Sequence, residues 1–302
     1  MLEYEQKSLL SPGWQGLRCP QAYVIGLGLI GGSWAGALHQ LGWQVSAVDA
    51  SETSLKQAQD QGWIEQGFLE IPPHIDADLV ILALPLPLIR DGIVALAGRL
   101  RQGTIITDVG SVKGEVCAEV KRLLGTDEGL RSSEVFFISG HPMAGSEKSG
   151  FGAADPNLFR GFPYVLIVDD GPEEALACLA GVVRQLGAEV VLREQEQHDE
   201  ELAMVSHIPH LLAVALALAA EDISRNGSAL QLAGRSFREV TRIVESSPGM
   251  WQEIIIKNSQ AVLKGLDQWQ IRLNELRGYV EARDGENIAE AFRQAATVRT
   301  RL

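Results

Sequence analysis

The stretch "AYVIGLGLIGGSWAGALHQLG" (Ala22–Gly42) constrains the fold more than any other part of the chain. An apolar run gives way to Gly26, Gly28 and Gly31, and apolar residues then recur at helical spacing until Gly42. In such a turn the first glycine permits the tight bend, the second lets a pyrophosphate approach the backbone, and the third lets helix and strand pack closely. A bare G-x-G-x-x-G is weak evidence, but here "WQVSAVDAS" follows as a second strand ending in Asp49, about 20 residues on. A carboxylate there accepts hydrogen bonds from both ribose hydroxyls and repels a 2′-phosphate, so the pattern favours NAD over NADP.

Five further segments continue the pattern. "ADLVILALP", "GTIITDVGSV", "EVFFISG" and the pair "YVLIVDD" and "AEVVLREQ" read as strands, the last two flanking a helix from about Pro172 to Leu186. After about Arg193 the apolar spacing is helical only. The expected fold class is therefore α/β: a lead-in over residues 1–20, a Rossmann-type dinucleotide-binding domain over 21–192, and an all-α domain over 193–302. Ligands meet an open parallel sheet at the carboxyl ends of its strands. That rim receives Pro85 after one strand, Asp108, Ser111 and Lys113 after the next, and His141 at the end of "EVFFISG". Ser111 sits where serine commonly caps a helix, which is compatible with a place beside a nicotinamide. The cofactor-contacting set on this reading is Gly26, Gly28, Leu29, Ile30, Gly31, Asp49, Pro85 and Ser111.

Composition limits the partners. A chain of 302 residues, 46% hydrophobic and 22% charged, has room for two domains with real cores. A net charge of −13, without a Lys/Arg block, argues against nucleic acid and anionic membranes. Cys19, Cys117 and Cys178 form no CxxC pair, which fits a reducing cytoplasm and suggests neither disulfide framework nor zinc site. The longest apolar run, "IPHLLAVALALAA" (Ile208–Ala220), is too short to cross a bilayer and reads as a buried helix, without a polar face over several turns and so suited to sharing with a second copy.

In the helical half, Ser206 and His210 share a face if Pro209 distorts rather than ends the helix. Zinc finds no third ligand at metal spacing beside His207 and His210, so the alternatives are a substrate contact or a capping serine with two satisfied histidines. Arg235, Arg238 and Arg242 form either a solvated face or the grip on a carboxylate that an acidic protein handling an anion needs.

The ordered motifs "GLGLIGGS", "DVGSVK", "GHPMAGSEKSG", "SHIPH" and "FREVTRI" followed by "PGMW", between Ala22 and Leu273, resemble those of the prephenate and arogenate dehydrogenases of tyrosine biosynthesis. The resemblance implies oxidative decarboxylation of prephenate with NAD, giving 4-hydroxyphenylpyruvate, carbon dioxide and NADH, with no metal. It implies His141 as the group that takes the ring-hydroxyl proton, which requires a neutral imidazole. It further implies Ser111 as the serine that orients the histidine, Glu147 as an acid shaping the pocket, and His210 with Ser206 as substrate contacts. Arg242 resembles a carboxylate anchor and Trp251 an aromatic wall; His207 reads as structural, and Lys113 and Lys148 as helpers at most. Glu239 stands where relatives commonly have Asp, and Arg235 and Ser236 where glycines are frequent, so an extra cation is expected near the pocket or across a dimer interface. The chain is expected to carry neither a chorismate mutase nor a regulatory amino-acid-binding domain. Arogenate remains an alternative substrate. More distant rivals are a β-hydroxyacid dehydrogenase, although Lys257 lacks the expected surrounding motif, and a catalytically silent NAD sensor.

Overall fold

The computed structural model describes residues 19–124, 135–145, 148–168, 171–224 and 228–301. Glu147 and all of the expected lead-in before Cys19 lie outside them. By contacts the chain forms two compact units: Met1–Asp199 with Ser246–Lys257, and Glu200–Glu245 with Asn258–Leu302.

The first unit opens with β1 (Gln21–Ile25), α1 (Leu29–Gln40), β2 (Gln44–Val48), α2 (Glu52–Asp60) and β3 (Gln66–Phe68). It continues through β4 (Leu79–Leu82), α3 (Leu86–Leu96), β5 (Ile105–Asp108), α4 (Gly114–Leu124) and β6 (Phe136–Phe137). The six strands pair in the order β3-β2-β1-β4-β5-β6, all parallel, so the order reverses between β1 and β4. That reversal opens the crevice in which doubly wound sheets take their ligands. β4 shows why the sheet is central: Leu79 and Ile81 pack into the core on one face, with Trp34 and Leu38 of α1. Val80 and Leu82 pack on the other, with Ile89 and Ile93 of α3. Period-two alternation with apolar residues at every position is what a strand covered on both faces requires, and each such side chain contributes about 1.5–3 kcal/mol by burial.

The segment "EVFFISG" departs from the sequence reading: it is not one strand ending at His141. Only Phe136–Phe137 pair with β5; the chain then leaves the sheet edge and starts a second sheet at β7 (Gly140–Pro142). The cause is Asp108 at the end of β5, whose Oδ1 accepts from Ser139 Oγ at 2.6 Å and from the Gly140 N–H at 3.3 Å. β7 pairs antiparallel with β8 (Pro163–Ile167), placing His141 opposite Val165. β8 pairs in parallel with β9 (Glu189–Arg193) across α5 (Glu173–Gln185). The short β3 was also not anticipated: it pairs over three residues only, too few for a periodic signal.

The remaining elements are α6 (Gln195–Leu202), a π turn (Ala203–His207), α7 (Ile208–Ile223), α8 (Arg235–Thr241), a 3-10 turn (Arg242–Glu245), α9 (Pro248–Lys257), α10 (Ser259–Glu281) and α11 (Gly285–Arg299). No strand is described after β9. α9 belongs to the first unit.

The apolar helix corrects the sequence reading twice. It runs without interruption from Gln195 to Ile223, 29 residues containing an 18-residue window of mean hydropathy 1.9, so by length and composition it is long and apolar enough to cross a membrane. The 13-residue apolar run understated it because the turn before it, Ala203–His207, is helical too. Nor is it buried: within α7 only Ile208 and Ala213 are, while Val214, Leu216, Leu218 and Ile223 are exposed.

Candidate active site

Gly26 adopts φ +96° and its N–H donates to the Val48 carbonyl at 2.8 Å, so the turn after β1 is stitched to the end of β2. A Cβ at Gly31 would lie 1.8 Å from the Gly26 carbonyl oxygen, which makes the third glycine obligatory for the close approach of α1. A Cβ at Gly28 would meet nothing within 4 Å, so this glycine marks the open side of the turn. α1 starts there with no side-chain cap and no acid in its first turn, leaving its positive end for an anion. Leu29 and Ile30 form that first turn and are half-buried. Asp49 accepts from the Leu27 N–H at 2.6 Å and from the Ser51 N–H at 2.7 Å, one bond on each oxygen. Those bonds fix the carboxylate while each oxygen retains a lone pair for a ribose hydroxyl. Pro85 is exposed and precedes the first residue of α3. These features fit a dinucleotide: a bare helix end for the pyrophosphate and an oriented acid for the ribose.

His141 is 8% exposed. Its Nδ1 lies 3.0 Å from His198 Nε2, and His198 Nδ1 lies 2.8 Å from Asp199 Oδ1. Asp199 also accepts from the backbone N–H groups of Lys113 at 3.0 Å and Gly114 at 2.9 Å. It is therefore Asp199, not Ser111, that caps α4. Ser111 is half-buried in the loop between β5 and α4, free of the capping duty that sequence logic allowed it. Burial pushes the Asp199 carboxyl up, but the bond from His198 and those from the two backbone N–H groups outweigh it and hold the group below its ordinary 3.8. A depressed folded-state value contributes stability that is present above the ordinary carboxylate range and is lost as pH falls through the lowered value.

Lys113 is placed away from any helper role in a pocket. It is fully buried, with Nζ 2.7 Å from Asp108 Oδ2 and 2.6 Å from the Gly140 carbonyl. Asp108 Oδ2 also accepts from the Gly110 N–H at 2.8 Å. The pair Asp108 and Lys113 thus clamps both sides of the residue preceding His141. Lys148 is exposed.

In the second unit, Pro209 does not end the helix. The π turn Ala203–His207 absorbs the hydrogen bond that proline cannot donate. His210 then donates from Nδ1 to the Ser206 carbonyl at 2.9 Å, joining the two residues through the backbone. His207 is buried and its Nδ1 accepts from Asn258 Nδ2 at 3.1 Å. Arg242 is exposed at the junction of α8 and the 3-10 turn, which packs against α7. Arg235 is also exposed and its Nε donates to Glu239 Oε1 at 2.7 Å, so the extra cation is partnered on its own helix. Trp251 is half-buried on α9 in the first unit.

The structure thus gathers Gly26, Gly28, Gly31 and Asp49 at one turn, and His141 beside the clamp at the end of β5. Sequence reasoning assigned neither His198 nor Asp199 to the site. The one available signal was their adjacency in "QHDEE" at the start of an otherwise polar helix.

The chain matches two family models, "Prephenate dehydrogenase, nucleotide-binding domain" over residues 34–192 and "Prephenate dehydrogenase, dimerization domain" over residues 194–294. It is 31% identical to the prephenate dehydrogenase of Lactococcus lactis subsp. cremoris over 91% of this chain and 75% of that one. It is 32% identical to the cyclohexadienyl dehydrogenase of Zymomonas mobilis, covering 92% and 94%. Among solved structures it resembles prephenate dehydrogenase from A. aeolicus in complex with hydroxyphenyl propionate and NAD+, with a TM-score of 0.85, 28% identity and coverage of 95% and 99%. It also resembles Synechocystis arogenate dehydrogenase, with a TM-score of 0.82, 27% identity and coverage of 93% and 99%.

Proposed function

Since this chain belongs to the prephenate dehydrogenase family and is an oxidoreductase, we propose that it oxidises and decarboxylates prephenate with NAD, giving 4-hydroxyphenylpyruvate in tyrosine biosynthesis. The observation that carries the reading is the setting of His141, whose Nδ1 is engaged by a buried histidine that is itself bound to an acid. An ionised carboxylate only accepts, so His198 carries its proton on Nδ1 and accepts at Nε2 from the Nδ1–H of His141. Neutral His141 then has its lone pair on Nε2, the state needed to take a proton from a ring hydroxyl.

NAD, when bound, supplies the acceptor for the hydride. Gly26, Gly28, Leu29, Ile30 and Gly31 would hold its pyrophosphate, Asp49 its ribose, and Pro85 and Ser111 the region of the nicotinamide. His141 takes the hydroxyl proton as the ring carbon is oxidised, and loss of the ring carboxylate as carbon dioxide yields an aromatic phenol, which makes the step effectively irreversible. We assign Ser206, His210, Glu147 and Trp251 to substrate contacts and Arg242 to a substrate carboxylate, on their match to the family motifs. The exposed apolar residues of α7 and the match to a dimerization domain support a homodimer formed through the helical half.

Steady-state assays of prephenate and arogenate, each with NAD and NADP, test this reading directly. Equal or better rates with arogenate would overturn the substrate. Asp49→Ser is expected to lower the NAD-to-NADP ratio of kcat/KM by about tenfold; an unchanged ratio removes Asp49 as the discriminator. Arg242→Gln is expected to raise the KM for prephenate by about 10- to 100-fold with kcat nearly constant, because a charge-assisted carboxylate bond serves ground and transition states alike. A fall confined to kcat would show that Arg242 does not anchor the carboxylate.

A further inference from the structure

Behind His141 lies a closed chain of hydrogen bonds whose far end is a carboxylate. His198 is fully buried, Asp199 is 7% exposed, and the two rings meet edge to face with centroids 5.2 Å apart. His198 is more than is needed to fasten α6: Asp199 already does that by capping α4 through two backbone N–H groups. A buried imidazole carries a polar nitrogen on each side, and here both are spent on connecting His141 to a negative charge.

We propose that His198 and Asp199 are positioning residues for His141, fixing the tautomer that leaves its Nε2 basic and drawing the acquired positive charge inward. The inference rests on the proton-accepting role proposed above for His141. In the step, the substrate O–H bond breaks and an N–H bond forms at His141 Nε2. The Nδ1–H of the resulting imidazolium points at the lone pair of His198 Nε2. Passage of that proton breaks the His141 Nδ1–H bond and forms a His198 Nε2–H bond. His141 is neutral again, and an imidazolium stands beside the Asp199 carboxylate. One proton has entered, and the positive charge lies one ring deeper, next to its counter-charge.

The groups facing these rings decide the direction of the effect. From the end of β5 and the loop after it come Asp108 and Lys113, which neutralise each other at 2.7 Å. From β8 comes Val165, opposite His141, which carries no charge. Asp199 therefore sets the sign: its charge favours protonated His141, and removing it lowers the proton affinity of that ring.

The test uses the full chain. In the wild type, 15N NMR of the ring nitrogens at neutral pH is expected to show protonated Nδ1 on both His141 and His198 and a bare Nε2 on His141. A proton on His198 Nε2 instead would overturn the proposal without any variant. His198→Gln keeps an acceptor for His141 but removes the second imidazole. It is expected to lower kcat by about 10- to 100-fold, to leave the KM for prephenate and the Kd for NAD within about twofold, and to move the acid limb of kcat/KM down by about one pH unit. Asp199→Asn should move the limb, and the His141 titration followed by NMR, the same way. A purely structural role would alter stability and leave both in place, and that result sinks the relay. Because the NMR readouts need no turnover, the two readings fail separately. A wild type that oxidises neither prephenate nor arogenate yet shows these tautomers and the displaced titration removes the proposed function and leaves the coupling standing. Turnover with an unmoved limb removes the relay alone.

Discussion

His141→Asn is expected to lower kcat for prephenate oxidation by about 10²- to 10⁴-fold, the range that a positioned general base supplies, while the Kd for NAD stays within about twofold. Asparagine matches the outline of part of the imidazole and can donate to His198, so the packing of β7 against β8 is retained. What it lacks is a basic nitrogen where the proton must go. The dinucleotide turn lies on other elements, Gly26 to Gly31 after β1 and Asp49 after β2, which is why nucleotide affinity is insulated from the change. Isothermal titration with NAD alongside single-turnover measurement of NADH formation separates the two quantities. Wild-type-like turnover in His141→Asn would remove the histidine from the chemistry.

The second large effect is expected at a residue that touches no substrate. Lys113→Met should destabilise the first unit by about 3–5 kcal/mol, since removing one partner of a buried pair leaves the other as an uncompensated charge. Both side chains are fully buried, and the variant also releases the Gly140 carbonyl that Lys113 Nζ holds. For a unit of this size the thermal midpoint should fall by about 10 °C. Combining Lys113→Met with Asp108→Asn should recover part of that loss, because the orphaned charge is then gone. A single-variant midpoint within about 2 °C of the wild type would mean that the pair contributes nothing. In the stabilised double variant, a lowered kcat with unchanged NAD affinity would report displacement of His141 rather than unfolding.

How much of this could be read in advance differs between the two halves of the site. The dinucleotide turn was legible because all its parts are local in sequence: strand, glycines, helix and second strand occur within about thirty residues. The steric demand at each glycine arises from its immediate neighbours. The setting of His141 was not legible. The strand expected to deliver it ends two residues after it begins pairing, because Asp108, more than thirty residues upstream in the chain, captures Ser139 and Gly140. His198 and Asp199 reach His141 and the start of α4 across fifty-seven and more than eighty residues respectively. No periodicity or spacing rule spans such a separation. Lys113 illustrates the same limit, since in "DVGSVKGEV" it reads as a cation at the rim of a sheet, and only folding shows it sealed against Asp108. The π turn before Pro209 is an intermediate case: the sequence posed the alternatives of a broken or a distorted helix, and the backbone took the second.

By itself, then, the sequence determined β1, α1, β2, β4 and β5 of the doubly wound half, the glycine turn that fits a dinucleotide, the helical character of the remainder and the family motifs. These depend on hydrophobic periodicity and on short-range backbone sterics, both written within a few turns of chain. The tertiary structure alone decided that His141 sits in a second sheet, that Lys113 is a buried clamp, and that a histidine and an acid from a later helix stand behind the proposed base. Those are matters of which buried polar groups find one another, because a donor or acceptor removed from water must be satisfied by whatever the fold brings to it, and the partners came from parts of the chain with no local signature of the pairing.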